Sequence, residues 1–467
     1  MINNKSQGNI KRVKVLLKVF IFSLALVSVV GCEKMLEVDM PTNQISSDQV
    51  FENTQTADAA LSGLYAGLYD SSPLSGDHTG RFLGVYTDEL NFYPASSNNG
   101  MLEAFQNTLI DSNVLVNTYW TNAYQKVYMC NSIIEGVENS VSLSQNDRNR
   151  LKGEAMVIRS ILFFYLQQVY GDIPYPVTTN FMINQSIGKT TSAEVLQRIE
   201  SDLKEAALLL LDTYRNTERI FLNRKASQLY LAKVLMTEKK WAEAETVLKE
   251  IKNSSLYQFQ NDITKVFDKS SSHILWQLKP KNPGDPTKEA GLYYFANAAP
   301  TSVALSPSMF NAFEASDKRK LNWITAVTVG ANTWYRINKY KNISNNTSEY
   351  SIVLRLEEVY LLLAEALAQQ DKIGEALPLI NAVKQRAGVN LLTQPMSKES
   401  LLNEILSENR KEFFTETGHR FIDLKRNDKL NTLISVKPNW KSFHRVWPIP
   451  QKEILLNNNL NPQNEGY

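Results

Sequence analysis

The chain has 467 residues, 43% hydrophobic and 21% charged, with a formal net charge of +2. That length can bury an ample core, and so small a charge makes no case for a nucleic-acid partner. Lys5, Lys11, Arg12, Lys14 and Lys18 stand in residues 1–31 with no acid, so the remainder carries a formal −3, which fits a polyanion partner less well still. Two cysteines, Cys32 and Cys130, build neither a disulfide framework nor a zinc cage.

Residues 1–31 have the parts of a secretory signal: a basic stretch to Lys18, an apolar run from Val19 to Val30, and a small-residue exit. The run is too short for a permanent bilayer span. The ending Val29-Val30-Gly31-Cys32 resembles a bacterial lipobox, which implies cleavage before Cys32 and lipidation there. One acyl chain holds a protein marginally and two hold it stably. Residues 32–45, polar-mixed with Pro41, read as a tether. No later apolar run reaches spanning length.

A first helix is predicted over 53–69, with Thr56 as a cap candidate and Ala60, Leu64 and Leu68 four apart. From Asp70 to Gly100 the helical period is lost among glycines and prolines, yet aromatic residues persist, which argues for a functional loop region rather than disorder. Helical pattern returns over 117–138 and 145–170. Gly171, Pro174 and Pro176 stop the second of these. Cys130, in an apolar stretch, reads as a buried thiol. A further helix is expected over 192–211.

Two helical hairpins follow, at 224–251 and 351–386. Shifted by 132 positions, Ala232 falls on Ala364, Leu235 on Leu367, Ala244 on Ala376, Leu248 on Ile380 and Ile251 on Val383. This spacing resembles the tetratricopeptide repeat, in which small residues let paired helices approach closely. Between the hairpins, 254–350 is punctuated by Pro280, Pro283, Pro286, Pro300 and Pro307 and carries a second set of aromatics, with a strand expected over 272–278. A helix is predicted over 397–416, capped by Ser397. Trp447-Pro448-Ile449-Pro450 must be extended.

Several separated stretches together resemble one family. They are the lipobox; Gly153–Pro176 with Tyr170-Gly171-Asp172-Ile173-Pro174; Arg355–Leu361 with Ala364-Glu365-Ala366; Arg410, Glu412, Gly418, Arg420, Asp423, Leu424 and Arg426; Pro448-Ile449-Pro450; and Gln463–Tyr467. The chain resembles the SusD/RagB-type nutrient-uptake lipoproteins of the Bacteroidetes outer membrane nearly end to end. It departs from the pattern at Asn409 and Glu465. The resemblance implies a mainly α fold, a tetratricopeptide-like helix-pair array with loop-rich, partly β inserted regions. It implies a single domain over 46–467, with an N-terminal part to about 220, a C-terminal part from about 221, and the aromatic insertion at 254–350. It implies a surface-exposed, lipid-anchored outer-membrane protein that captures an oligosaccharide or a peptide and acts as the lid of a SusC-like TonB-dependent transporter. It implies no catalytic activity. The competing reading is an envelope scaffold that grips other proteins through its repeats. The matched Arg420 and Asp423, three apart on an expected short helix, read as an internal salt bridge or cap.

A sugar site needs aromatic faces, and polar side chains for hydroxyls. Phe82, Tyr86, Asp88, Phe92 and Tyr93 from the first irregular region, and Tyr293, Tyr294, Trp323, Trp334 and Arg336 from the second, are the candidates. Catalysis finds little support. His78, His273, His419 and His444 lack metal-ligand spacing, and no nucleophile elbow or phosphate loop occurs. Asp88 and Glu89, adjacent on an extended chain, would point apart rather than flank one glycosidic bond. No cofactor or metal is expected.

Overall fold

The computed structural model describes residues 13–16, 18, 47–94 and 99–467. The expected anchor Cys32, the expected tether 32–45 and nearly all of the expected signal 1–31 lie outside them. No helix among the described residues is long and apolar enough to cross a membrane.

Residues Val50–Tyr467 form one compact unit. Helix α1 (Thr54–Asp70) is capped by the side chain of Asn53, not by Thr56, whose hydroxyl instead donates to the Val50 carbonyl. The expected loop after it contains a helix, α2 (Thr79–Tyr86), and a short strand, β1 (Leu90–Phe92). Its glycines hid the helix from period counting, and one of them is required. A Cβ at Gly80 would lie 2.1 Å from the Thr415 carbonyl oxygen, so the 415–417 turn can press against α2 only over a glycine. A two-turn segment, α3 (Met101–Gln106), leads into α4 (Val114–Asn139) and α5 (Gln145–Tyr170). Helix α5 spans the predicted range, is capped by Ser144, and stops at Gly171, whose φ is +78°.

From α4 onward each helix packs on its predecessor, through α6 (Ser192–Leu209), α7 (Arg224–Thr237) and α8 (Trp241–Lys252). Helix α8 then packs directly on α13 (Leu356–Gln369), which pairs with α14 (Ile373–Ala387) and leans on α15 (Lys398–Phe413). The two hairpins are therefore stacked, and everything between them is looped out of the array. Ala232, Ala244, Ala364 and Ala376 are fully buried at these contacts. Glu245 on α8 accepts from Lys372 at 2.7 Å and from Gln370 at 2.7 Å, which bridges the hairpins. Replacing Ala364 by Leu is expected to cost about 1–3 kcal/mol, because the contact has no room for three more carbons. Urea unfolding reads this directly, and a midpoint no lower than wild type would refute the close-approach role.

The second hairpin begins later than its sequence pattern predicts. Ser351–Arg355 is a buried strand, β6, paired antiparallel with β2 (Ile274–Leu278). Its apolar run suits a strand buried on both faces as well as a helix, and length alone could not separate them. The looped-out segment also carries α9 (Lys288–Tyr293), β3 (Val303–Leu305), α10 (Pro307–Asn311), α11 (Lys318–Trp323), β4 (Ile324–Val329) and β5 (Asn332–Ile337). Strands β1, β3, β5 and β4, in that order, form a four-stranded antiparallel sheet. It joins residues from both irregular regions.

At the C-terminal end, α16 (His419–Arg426) places Arg420 and Asp423 in ion pairs, but not with each other. Arg420 reaches Asp88 at 2.9 Å, and Asp423 holds Arg426 at 2.7 Å. Trp447 is fully buried and its amide donates to the Val169 carbonyl at 2.7 Å, which ties the extended Trp-Pro-Ile-Pro segment to α5. Cys130 is a buried free thiol, pushed up to about 12 by burial.

Candidate functional site

Residues opposite one another in an antiparallel pair share a face, and neighbours along a strand alternate. The register pairs Leu90 with Leu305, Asn91 with Ala304, Leu305 with Tyr335, Val327 with Trp334 and Thr325 with Arg336. One face therefore holds Leu90, Phe92, Leu305 and Tyr335. It lies against the main core, and Tyr335 stacks on Phe310 with ring centroids 3.6 Å apart. The other face holds Asn91, Ala304, Thr325, Val327, Trp334 and Arg336. Continuing the alternation, Tyr93 joins it, and its amide donates to the Ser302 carbonyl.

On this outer face Phe295, Ala304 and Val327 form a small apolar cluster apart from the main core, with Trp334 packed on it. The Arg336 guanidinium donates to the Phe295 carbonyl at 3.0 Å and lies 4.9 Å from the centre of the Tyr294 ring. These contacts set the arginine's plane, and its Nε has no partner. Tyr294 is 47% exposed and Tyr93 36% exposed. Burial raises the Tyr93 phenol and a hydrogen bond from Asn91 opposes that shift. The result is an accessible surface of two tyrosines, a half-buried tryptophan, a tethered arginine and an asparagine. It can stack on flat apolar faces and hydrogen-bond to hydroxyls.

Four candidates, Tyr93, Tyr294, Trp334 and Arg336, thus come together. The other six do not reach this face. Phe82 is buried on α2 between His78 and Tyr119. Tyr86 is fully buried, with its hydroxyl donating to the His444 carbonyl at 3.0 Å. Tyr293 is buried at the end of α9. Trp323 is buried against Phe267 and Phe414, and its indole N–H donates to the Ile263 carbonyl at 3.2 Å. Phe92 points to the core side of the sheet. Asp88 is buried and held by Arg410 at 2.8 Å and Arg420 at 2.9 Å. Burial would raise its carboxyl, but the two guanidiniums outweigh that and keep it below the ordinary range. Its neighbour Glu89 turns into the interior, where burial pushes it up to about 7. These are packing and anchoring roles, and the partners Tyr119, His444, Phe414, Arg410 and Arg420 come from distant parts of the chain.

Sequence reasoning missed Asn91 and Phe295. For Asn91 the signal was the alternation Leu90-Asn91-Phe92-Tyr93, which separates the strand's two sides. Phe295 has no local signal, because its place depends on Ala304 and Val327 in other strands. Among the described residues no group of three or more His, Cys, Asp or Glu could hold a metal ion.

A family model described as starch-binding, associating with the outer membrane, matches residues 35–236, and a SusD family model matches residues 318–467. The SusD-like protein P2 of Formosa agariphila is 24% identical over 516 residues, covering 96% of this chain and 99% of that protein. A SusD superfamily protein of Bacteroides vulgatus, solved by crystallography, superposes with a TM-score of 0.76 at 21% identity, over 89% of this chain and all of that one. Surface glycan-binding protein A of Bacteroides thetaiotaomicron, solved with laminarihexaose, superposes with a TM-score of 0.75 at 18% identity, over 88% of this chain and 99% of that one. The mainly helical array with its looped-out sheet is the fold these structures share. With family models matching both the N-terminal helices and the C-terminal repeat unit, the chain belongs to the SusD family.

Proposed function

We propose that this chain is a carbohydrate-binding protein without catalytic activity, with the outer face of the β1-β3-β5-β4 sheet as its binding surface. The observation that carries the reading is the convergence of Tyr93, Tyr294, Trp334 and Arg336, drawn from two distant segments, on one accessible face separate from the core. The family description as starch-binding supports a glycan ligand, as do relatives of this fold that bind laminarin or its hexasaccharide. Asp88 is neutralised by two arginines and Glu89 is buried, so neither carboxylate is free to act on a glycosidic bond. In this reading Cys32 carries the lipid anchor at the outer membrane, and a SusC-like TonB-dependent transporter receives the captured glycan. A peptide ligand would use the same aromatic face, and the glycan is favoured by the starch-binding description.

Electrophoresis through gels containing laminarin, starch, xylan or mannan tests the reading. At least one polysaccharide is expected to retard the protein. Trp334→Ala is expected to weaken that binding about tenfold, the size of one lost stacking contact with its buried area. Trp323→Ala, by contrast, should show its effect in unfolding and not in the affinity of the folded fraction. A protein indifferent to every polysaccharide, or binding equally well without the Trp334 ring, would end the proposal. Recovery of a TonB-dependent transporter with the native protein from outer membranes tests the partner.

A further inference from the structure

The outer sheet face does not stop at β1. Asn91, which lies on it, also lines a groove of about 340 Å³ that runs past Phe105, Ser306 and Ser308. Asn107 and Asn439 line this groove and a second one of about 480 Å³, which continues past Thr108 and Phe443 to Tyr467. The accessible side chains along the track mix amides and hydroxyls with the apolar Ile110, Pro307, Val436 and Pro438, and the second groove also carries Lys441 and Asp111, of opposite charge. Gln106, Thr108, Ser308 and Asn439 are all exposed.

The two charged groups in the first groove are already engaged. Asp88 holds Arg410 and Arg420. The Lys437 ammonium donates to the Val85 carbonyl at 2.6 Å and the Phe105 carbonyl at 2.8 Å, and lies 4.2 Å from the centre of the Phe105 ring. At the junction of the two grooves, Asn107 is 3% exposed and takes a left-handed backbone conformation with φ +55°. Its Nδ2 donates to the Tyr86 carbonyl at 2.9 Å, while its Oδ1 has no partner. Asn439 donates to the Gln106 carbonyl at 2.9 Å, which holds the junction's two walls together. A wall of amides, hydroxyls and apolar patches whose charges balance suits a neutral, hydroxyl-rich chain better than a strongly charged one.

We propose that the sheet face and the two grooves form one continuous track for a linear neutral oligosaccharide. The aromatic face stacks on one end of the chain, and the groove amides and hydroxyls bind the sugar units beyond it. This rests on the carbohydrate-binding reading of the sheet face. Its consequence is length selectivity: affinity rises with each unit that enters the groove, because each adds hydrogen bonds that the sheet face alone cannot make.

Titration calorimetry of the purified protein with ladders of two to seven units tests this. The ladders are β-1,3-glucan, α-1,4-glucan, β-1,4-mannan and β-1,4-xylan, with alginate oligouronates as the charged comparison. Affinity for at least one neutral ladder is expected to climb about tenfold or more between the disaccharide and the hexasaccharide. Gln106→Trp, which places a ring at the groove wall from an exposed position, should flatten that climb. Thr108→Ala should reduce the climb without blocking the groove. Binding that Trp334→Ala weakens but that is flat with chain length overturns the track alone, as does a climb unaffected by Gln106→Trp. Tighter binding of the oligouronates than of every neutral ladder overturns the neutral-ligand assignment. Binding to none of them sinks the carbohydrate-binding reading and the track together.

Discussion

Replacing Glu412 by Ala is expected to cost about 3–5 kcal/mol of stability, the usual loss when one partner of a buried ion network is removed. Glu412 has no solvent exposure. Its carboxylate accepts from Arg355 on β6 and Arg386 on α14, and Arg319 on α11 lies 3.3 Å away. Arg319 also holds Asp317 at 2.8 Å and Glu408 at 2.6 Å, and Arg355 holds Glu416 at 2.9 Å. The network ties the looped-out segment to the second hairpin and to α15. Without the carboxylate, Arg355 and Arg386 remain buried with too little negative charge around them. Glu412→Gln keeps the shape and loses the charge, so it should be nearly as damaging. Burial would raise the Glu412 carboxyl, but Arg386, Arg355 and Arg319 outweigh it and hold the group well below its ordinary value of 4.5.

The pH dependence follows from that depressed value. A carboxyl that titrates lower in the folded chain than in the unfolded one contributes stability fully above the unfolded value. That contribution is lost as pH falls from about 4.5 toward the folded value. Urea midpoints measured from pH 7 down to pH 3 should therefore drop more steeply for the wild type than for Glu412→Gln. Parallel curves, or a loss below about 1 kcal/mol at pH 7, would show that the network is not coupled as drawn.

Trp447→Ala is expected to be comparably costly, about 3–5 kcal/mol, for a different reason. The indole is fully buried, with ring centroids 5.7 Å from Tyr86, 5.8 Å from Tyr119 and 6.2 Å from Tyr170. Truncation leaves a cavity among aromatic rings that have their own hydrogen bonds and little freedom to collapse. Tyr86 bonds the His444 carbonyl, and Tyr170 bonds the Val116 carbonyl at 2.6 Å. The backbone there is equally committed, since the Asn464 side chain donates to the Trp447 carbonyl at 2.7 Å. Trp447→Phe should recover much of the loss. Chemical unfolding with near-ultraviolet circular dichroism checks both variants, and an alanine variant within 1 kcal/mol of wild type would refute the account. Because Tyr86 of this cluster ends α2 only a few residues before β1, the variant also tests whether the sheet face depends on the aromatic cluster.

The helical array was legible in the sequence wherever its causes are local. The four-residue spacing of α1, the stop of α5 at Gly171, and the paired alanines of the two hairpins act within a few turns of chain. So does the Ser397 cap of α15. Composition likewise marked 70–100 and 254–350 as departures from the array, and these segments supply the four-stranded sheet.

Which aromatic in those segments faces outward was not legible, because a ring in an irregular stretch carries no sign of its inner or outer side. Phe82, Tyr86 and Trp323 are buried by partners more than thirty residues away, such as Tyr119, His444 and Phe414. Asp88 meets Arg410 and Arg420 across more than three hundred residues. The outer sheet face itself exists only once β1 pairs with β3 and β5 lies between β3 and β4, and one position of register decides which side each residue takes. Sequence alone determined a helix-pair array with two aromatic-rich segments outside its repeats. Only the tertiary pairing of those segments decided that Tyr93, Tyr294, Trp334 and Arg336 form a surface while their neighbours hold it in place.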